Sequence, residues 1–412
     1  MELAEALSLV IFYSGAFLMP LVASRAHVPA AVAEIVFGLT IGAAGIVHKS
    51  NATEFLAELG FMYLMFLVGM EIDFNRIERE GRKTVLMAFL VSTLVLVTAM
   101  LIVTRLDMPP FMALVIGAMS VGVLLVALVE SGASKTRSGQ IFLLVGSIGE
   151  FLTLLALAGY DLVEQHGFSS ELVTAALRVV MLFLVALALL AAMRLTVWWF
   201  PHSFKRWVRE EDPSELGVRF GFVLMLGLAA LATWVGLESI VGAFLAGILF
   251  AYIFRETGVL ETKLVALGQG FFVPIFFINV GVTFEWAALG DVSTLGRTLV
   301  VLGAASLVAK FLPSVLLLFL GLGFRAVAAG AFLLATPLTL LVAIAALGRE
   351  LQVIDPSMSA AVILLAIVTG VLFPTLFKLI TPKPPQAPEV LTPARSAPPR
   401  PPDPGASALS PE

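Results

Sequence analysis

Long uninterrupted apolar runs dominate the chain, separated by short polar stretches. Runs of about 18 to 25 residues have the length a helix needs to cross the hydrocarbon layer. About thirteen are predicted, at 3–22, 29–47, 54–72, 84–104, 109–130, 139–160, 171–199, 215–235, 237–254, 261–283, 295–321, 325–348 and 357–380. The narrowest division is between spans eight and nine, where only Gly236-Leu237-Glu238 intervenes. The runs are continuous rather than alternating, which favours helices over the strands of a membrane barrel. The predicted fold class is an all-α polytopic membrane protein.

Composition strengthens this reading. Hydrophobic residues make up 59% of the 412 residues and charged residues 13%, against about 25% charged in ordinary soluble domains. An ordinary cytosolic enzyme and a disordered protein are excluded. The net charge of -4 excludes a nucleic-acid partner, which needs a basic patch to neutralise phosphates. There is no cysteine, so disulfides, thiolate metal sites and cysteine nucleophiles are excluded together. No nucleophile–base set lies in the spans, so no enzyme activity and no cofactor are expected. The start, Met1-Glu2-Leu3-Ala4-Glu5, lacks the positive region of a secretory signal, so the first run is read as a retained membrane helix.

Loop charges set the orientation. Lys49, Arg105, Arg297 and Arg349 fall on the side of the N-terminus. Arg25, Arg76, Arg79, Arg82, Lys83, Lys135, Arg137, Lys205, Arg206, Arg209 and further basic residues fall on the other. The N-terminus is therefore expected outside and the C-terminus in the cytoplasm of a cell (inner) membrane. Residues 381–412 are rich in Pro, Ala and Ser and read as a disordered cytoplasmic tail.

The chain also repeats. Span three holds Leu59-Gly60 and Phe66-Leu67-Val68-Gly69, and span ten holds Leu267-Gly268 and Phe277-Ile278-Asn279-Val280-Gly281. Gly38 and Gly42 of span two correspond to Gly242 and Gly247 of span nine. Matching spans are seven apart. An odd offset makes the copies cross the membrane in opposite senses, a transporter arrangement with its site near the midplane.

Most carboxylates, including Glu34, Glu58, Glu71, Glu130 and Glu238, lie close to span ends. Glu150 lies midway along 140–160, and Lys310 lies between the apolar stretches 298–309 and 311–323. A charge at the bilayer centre costs a few kcal/mol even on lenient scales. Two of opposite sign suggest a pair or a shared aqueous cavity. A structural salt bridge is the plainer alternative, but buried pairs stabilise poorly. Arg178 and Arg194 sit nearer the ends of span seven. Pro337 in span twelve is expected to free the carbonyl of Leu333. Gly117-Ala118-Met119-Ser120-Val121-Gly122 marks a break at similar depth in span five. Two broken helices in matching positions point to an ion site, where carbonyls and hydroxyls offer hard oxygen ligands. His27, His48, His166 and His202 fall in loops or at span ends. Asn279 reads as glue between helices, and Trp198-Trp199 as an interfacial belt.

Four segments, in this order, carry a family resemblance: residues 28–38 (VPAAVAEIVFG), 66–73 (FLVGMEID), 242–247 (GAFLAG) and 274–281 (PIFFINVG). With them the chain resembles the monovalent cation:proton antiporters, specifically the sodium/proton antiporter branch of their second class, over about residues 3–380. The resemblance implies inverted repeats and two crossed broken helices. It implies scaffold and dimer helices at 3–72 and 215–283, core helices at 84–160 and 295–380, and a linker helix at 171–199. It matches the family's acidic ion residue and the residue before it to Glu150 and Gly149, the lysine of span eleven to Lys310, and a Thr-Ser pair to Met119-Ser120. Three departures stand out: Glu for Asp at 150, Gly149 for an acid or amide, and Met119 for a hydroxyl residue.

The function so implied is secondary exchange of a monovalent cation, sodium first, for protons by alternating access. Proton and cation compete for Glu150, and Lys310, Ser120, Gly149 and Thr336 complete the site. A homodimer is expected. Two other readings stay open: potassium–proton antiport or potassium efflux on the same scaffold, and a membrane sensor that does not transport.

Overall fold

The computed structural model describes residues 3–26, 28–47, 51–71, 81–167, 170–199, 214–254, 258–284, 286 and 292–381. Lys49, Arg76, Arg79, Lys205, Arg206, Arg209, His27, His48, His202 and the tail from 382 onward lie outside those residues. Among the described residues, eleven helices are long and apolar enough to cross a membrane, and two shorter apolar helices join them. In chain order they are α1 (Leu3–Ala26), α2 (Ala30–Ala43), α3 (Asn51–Met70), α4 (Arg82–Arg105), α5a (Met112–Gly117) with α5b (Gly122–Glu130), α6 (Arg137–His166) and α7 (Ser170–Trp199). Then follow α8 (Leu216–Trp234), α9 (Ser239–Ile253), α10 (Gly258–Leu267, a π-turn over Gly268–Phe272, then Val273–Val282), α11 (Val292–Ser314), α12a (Phe324–Leu334) with α12b (Leu338–Glu350), and α13 (Pro356–Ile380).

The two short helices, α2 and α9, are shorter than their hydropathy runs, and the reason is local. After α2, Gly45 takes φ 63°. Ile46 N–H then reaches back to Ile41 O at 3.2 Å and Gly45 N–H to Gly42 O at 3.1 Å, a glycine-terminated helix end that satisfies the last carbonyls. The same device separates α8 from α9. Gly236 has φ 88°, and Leu237 N–H bonds Ala232 O at 2.9 Å. Helix starts are capped where the chain re-enters: Thr136 Oγ1 accepts from Gly139 N–H at 3.1 Å before α6, and Asp355 Oδ1 from Met358 N–H at 2.7 Å before α13.

Two groups of helices pack internally. α1, α2, α3, α8, α9 and α10 form one, and α4, α5, α6, α11, α12 and α13 the other. Glycines bring the first group together. A Cβ on Gly38 would meet the Ile278 carbonyl and, at 2.9 Å, the Gly281 Cα; one on Gly69 would meet the Phe244 carbonyl and, at 3.0 Å, the Gly247 Cα. Thus α2 crosses α10 and α9 crosses α3 backbone to backbone. The repeat pairs α2 with α9 and α3 with α10, so the two crossings are equivalents of each other. α7 runs along the outside and leaves Leu177, Val180, Leu184, Leu187 and Leu195 exposed.

The two groups touch between α6 and α9, where the Phe151 and Phe244 rings stack at 6.2 Å. Carboxylates that the hydropathy pattern does not mark as buried lie in both groups. Asp161 on α6 is 1% exposed, and Glu34 on α2 is 4% exposed. Glu238, in the turn before α9, is pushed up to about 7 by burial first and then by the charges of Glu350 and Asp161. A carboxyl raised in the folded state stabilises the fold below its ordinary value and loses that contribution as pH rises through about 7. Purified wild type should therefore lose thermal stability between about pH 5 and about pH 7, and Glu238→Gln should flatten that slope. An unchanged slope in the variant would remove Glu238 from the account.

Candidate ion-binding site

The site is built from two interrupted helices. Span five unwinds over Ala118–Val121, and the break leaves backbone groups on both sides without their helical partners. Two charged side chains from neighbouring helices serve them. Lys310 Nζ, from α11, donates to the Ile116 carbonyl at the end of α5a and, at 2.8 Å, to Ser306 Oγ one turn earlier. Glu150, from α6, accepts from Val121 N–H at the start of α5b through Oε2 at 3.1 Å. Its Oε1 accepts from Ser120 Oγ at 2.7 Å. The cation faces the carbonyl end of one half-helix and the anion the N–H end of the other. Each sign is where the half-helix dipoles favour it.

Glu150 is 3% exposed, Ser120 2% and Lys310 0%. A hydrogen bond to a charged group contributes about 1.5–3 kcal/mol. Two of them therefore offset most of the about 2.5–3.5 kcal/mol that a charge costs at a helix centre on insertion scales. A carboxylate in that balance can exist with or without its proton.

Of the two arrangements the sequence leaves open, the direct pair of Glu150 with Lys310 does not form; each has partners of its own on opposite sides of the α5 break. They share a helix break rather than a bond.

The second break lies over Ala335–Pro337. Pro337 has φ -81° and ψ 58°, and Leu338 N–H closes on Thr336 O at 2.9 Å, an inverse γ-turn. Here the structure corrects the sequence reading. The Leu333 carbonyl is not freed by Pro337: it accepts Thr336 Oγ1 at 2.5 Å and Thr336 N–H at 3.2 Å. The hydroxyl of Thr336 thus seals its own helix end. Thr339, in the first turn of α12b, supplies the hydroxyl that meets the other break, 3.4 Å from Ser120 Oγ. α5a packs on α12b and α5b on α12a, so the broken helices cross.

Gly149 brings no ligand atom from a side chain. Its carbonyl accepts Thr153 Oγ1 at 2.7 Å, and its Cα face is covered by Met119. Glu71, just past α3, is exposed. Its carboxylate lies 4.0 Å from where a Cβ on Gly122, at the start of α5b, would stand. Arg194 lies 5.9 Å from the centre of the Tyr252 ring, away from the breaks. Sequence reasoning missed Thr339, Glu71, Ser306 and the backbone groups of Ile116 and Val121. Only Thr339 and Ser306, as hydroxyls on the apolar runs that carry Pro337 and Lys310, left a signal to find.

Known proteins share this architecture. The structure is similar to that of the sodium proton antiporter MjNhaP1 from Methanocaldococcus jannaschii at pH 8, with a TM-score of 0.61 at 15% identity over 92% of this chain and 97% of that one. YjbQ of Bacillus subtilis (strain 168) is 31% identical over 397 residues, 90% of this chain; the chain spans 62% of YjbQ's length. The Na(+)/H(+)-K(+) antiporter GerN of Bacillus cereus is 24% identical over 64% of this chain and 67% of its own. The family described as "Sodium/hydrogen exchanger, transmembrane" matches residues 13–381. The chain therefore belongs to the sodium/hydrogen exchanger family of multi-pass monovalent cation:proton antiporters.

Proposed function

We propose that this protein exchanges a monovalent cation, sodium first, for protons, and that Glu150 holds the two by turns. The observation that carries the proposal is a buried carboxylate at the junction of two crossed helix breaks, held by Ser120 Oγ and Val121 N–H. A partly dehydrated cation entering there meets one charge and hard oxygens from Ser120 and Thr339. It displaces the proton from the same carboxylate, and that competition couples the two fluxes. Thr336 acts behind the site by sealing α12a, and Gly149 by leaving room for the α5 break.

The partners of Lys310 support a one-for-one stoichiometry. Its ammonium is spent on Ile116 O and Ser306, and no direct ion pair ties it to Glu150. Cation entry therefore releases the proton of Glu150 alone, and exchange is one for one and electroneutral.

Alternating access follows from the two packed groups. α1–α3 and α8–α10 serve as a scaffold and dimer surface, α4–α6 and α11–α13 as the moving core, and α7 as the link. The N-terminus is outside and the C-terminus cytoplasmic in a cell membrane. No covalent chemistry and no cofactor enter this mechanism.

A potassium reading is favoured by the name of GerN, which pairs sodium with potassium. One assay separates the two. Proteoliposomes holding an imposed proton gradient receive sodium, lithium or potassium in turn while a pH dye reports collapse. Sodium is expected to collapse the gradient at the lowest concentration. Potassium acting first would replace the cation, and inertness toward all three would end the transport reading.

A further inference from the structure

The face of α6 at Gly149, the residue before Glu150, is covered by a residue that cannot ligate a hard cation. A Cβ on Gly149 would meet the terminal methyl of Met119 and stand 2.7 Å from its sulfur and 3.1 Å from its Cβ. The methyl end of a methionine can swing aside, but its Cβ cannot without moving the unwound backbone that carries Ser120. Retreat is also blocked. Met119 is 0% exposed and belongs to an apolar cluster with Leu124, Val145, Leu333 and Leu334. One turn earlier, Gly146 lets Val121 approach, with Val121 Cγ2 3.1 Å from a Cβ built there. α5 and α6 are therefore pressed together along the 146–149 face, and the space over Gly149 is already full.

We propose that Met119 is a specificity-determining residue: its thioether fills the space a side chain at 149 would occupy, keeps a second carboxylate out of the site, and so fixes exchange at one proton per cation. A thioether is a soft, weak ligand for alkali cations. It walls one side of the site without competing with the carboxylate. The inference rests on Glu150 being the exchanging group, and it predicts that residues 119 and 149 are coupled by volume.

The test uses the full-length protein and four variants: Met119→Ala, Gly149→Asp, the double variant, and Met119→Ala with Gly149→Asn. Unfolding midpoints in detergent read the steric coupling without any transport. Gly149→Asp alone is expected to lower the midpoint, and Met119→Ala in the same chain to recover most of that loss. Stoichiometry is then read in proteoliposomes at zero membrane potential, from the ion gradient at which net flux stops. A one-for-one exchanger stops when the cation and proton gradients are equal. A two-proton exchanger stops when the cation gradient equals the square of the proton gradient. Wild type and the Gly149→Asn double variant are expected to stop at equality, and the Gly149→Asp double variant to move toward the square. An undisturbed Gly149→Asp single variant, or no recovery by Met119→Ala, overturns the steric claim. Recovery with an unmoved stopping point overturns the claim about stoichiometry. Wild-type protein that moves no cation would fail the proposed function instead, while the unfolding cycle would still read the packing.

Discussion

Glu150→Gln is expected to reduce cation-driven proton movement to the level of empty vesicles while leaving the unfolding midpoint no lower than that of wild type. Gln keeps the length of Glu and one acceptor oxygen, enough to hold either Ser120 Oγ or Val121 N–H. What it loses is the ability to release a proton and to carry the charge that holds a cation. Stability moves the other way. A neutral amide is cheaper than a carboxylate to bury at a helix centre, where ionised side chains cost about 2.5–3.5 kcal/mol. Loss of activity together with loss of fold would leave Glu150 as a strut for the α5 break. Retained exchange would remove it from the mechanism.

Lys310→Met is expected to lower stability and slow exchange without making it sensitive to voltage. Removing a buried ammonium saves its desolvation cost, and such replacements stabilise some proteins. Here the partners decide the sign. Ser306 can turn its hydroxyl back to a carbonyl of its own helix. The Ile116 carbonyl cannot recover a donor, because the helical N–H that would serve it lies in the unwound Met119-Ser120 stretch. A buried carbonyl left unserved costs about 1–3 kcal/mol, and the favourable cation at the end of α5a is lost as well. The midpoint should therefore fall, and a looser break should misplace Ser120. Exchange in vesicles with the membrane potential clamped by a potassium ionophore reads the rest. If wild type proved voltage-sensitive and the variant insensitive, Lys310 would be a proton carrier and the one-for-one reading would be wrong.

Much of this architecture is legible in the chain because the bilayer imposes a length on every apolar run. The seven-span repeat, the carboxylate and ammonium at mid-depth, and the Pro337 break follow from residue letters and spacing alone. The local chemistry follows less well, for a specific reason. The partners of Glu150 and Lys310 at the α5 break include Val121 N–H and Ile116 C=O, and backbone groups carry no letter. The two opposite charges suggest a pair or a shared cavity, because side chains are all that residue letters advertise. Thr336 misleads in the same way. Its position beside Pro337 suggests a ligand, yet an inverse γ-turn hands its hydroxyl to Leu333, and Thr339, three residues on, faces Ser120. The burial of Glu34 and Asp161 depends on neighbouring helices, which hydropathy along one chain does not register. Likewise, Gly149 reads as a missing acid until Met119 is seen in its place.

The most direct measurement is a proton count on the purified protein. Sodium chloride is added to detergent-solubilised protein in unbuffered solution near neutral pH, and a pH dye records what is released. The account predicts saturable release of one proton per chain from wild type, and none from Glu150→Gln. Equal release from both proteins would show that the displaced proton resides elsewhere and would contradict the account.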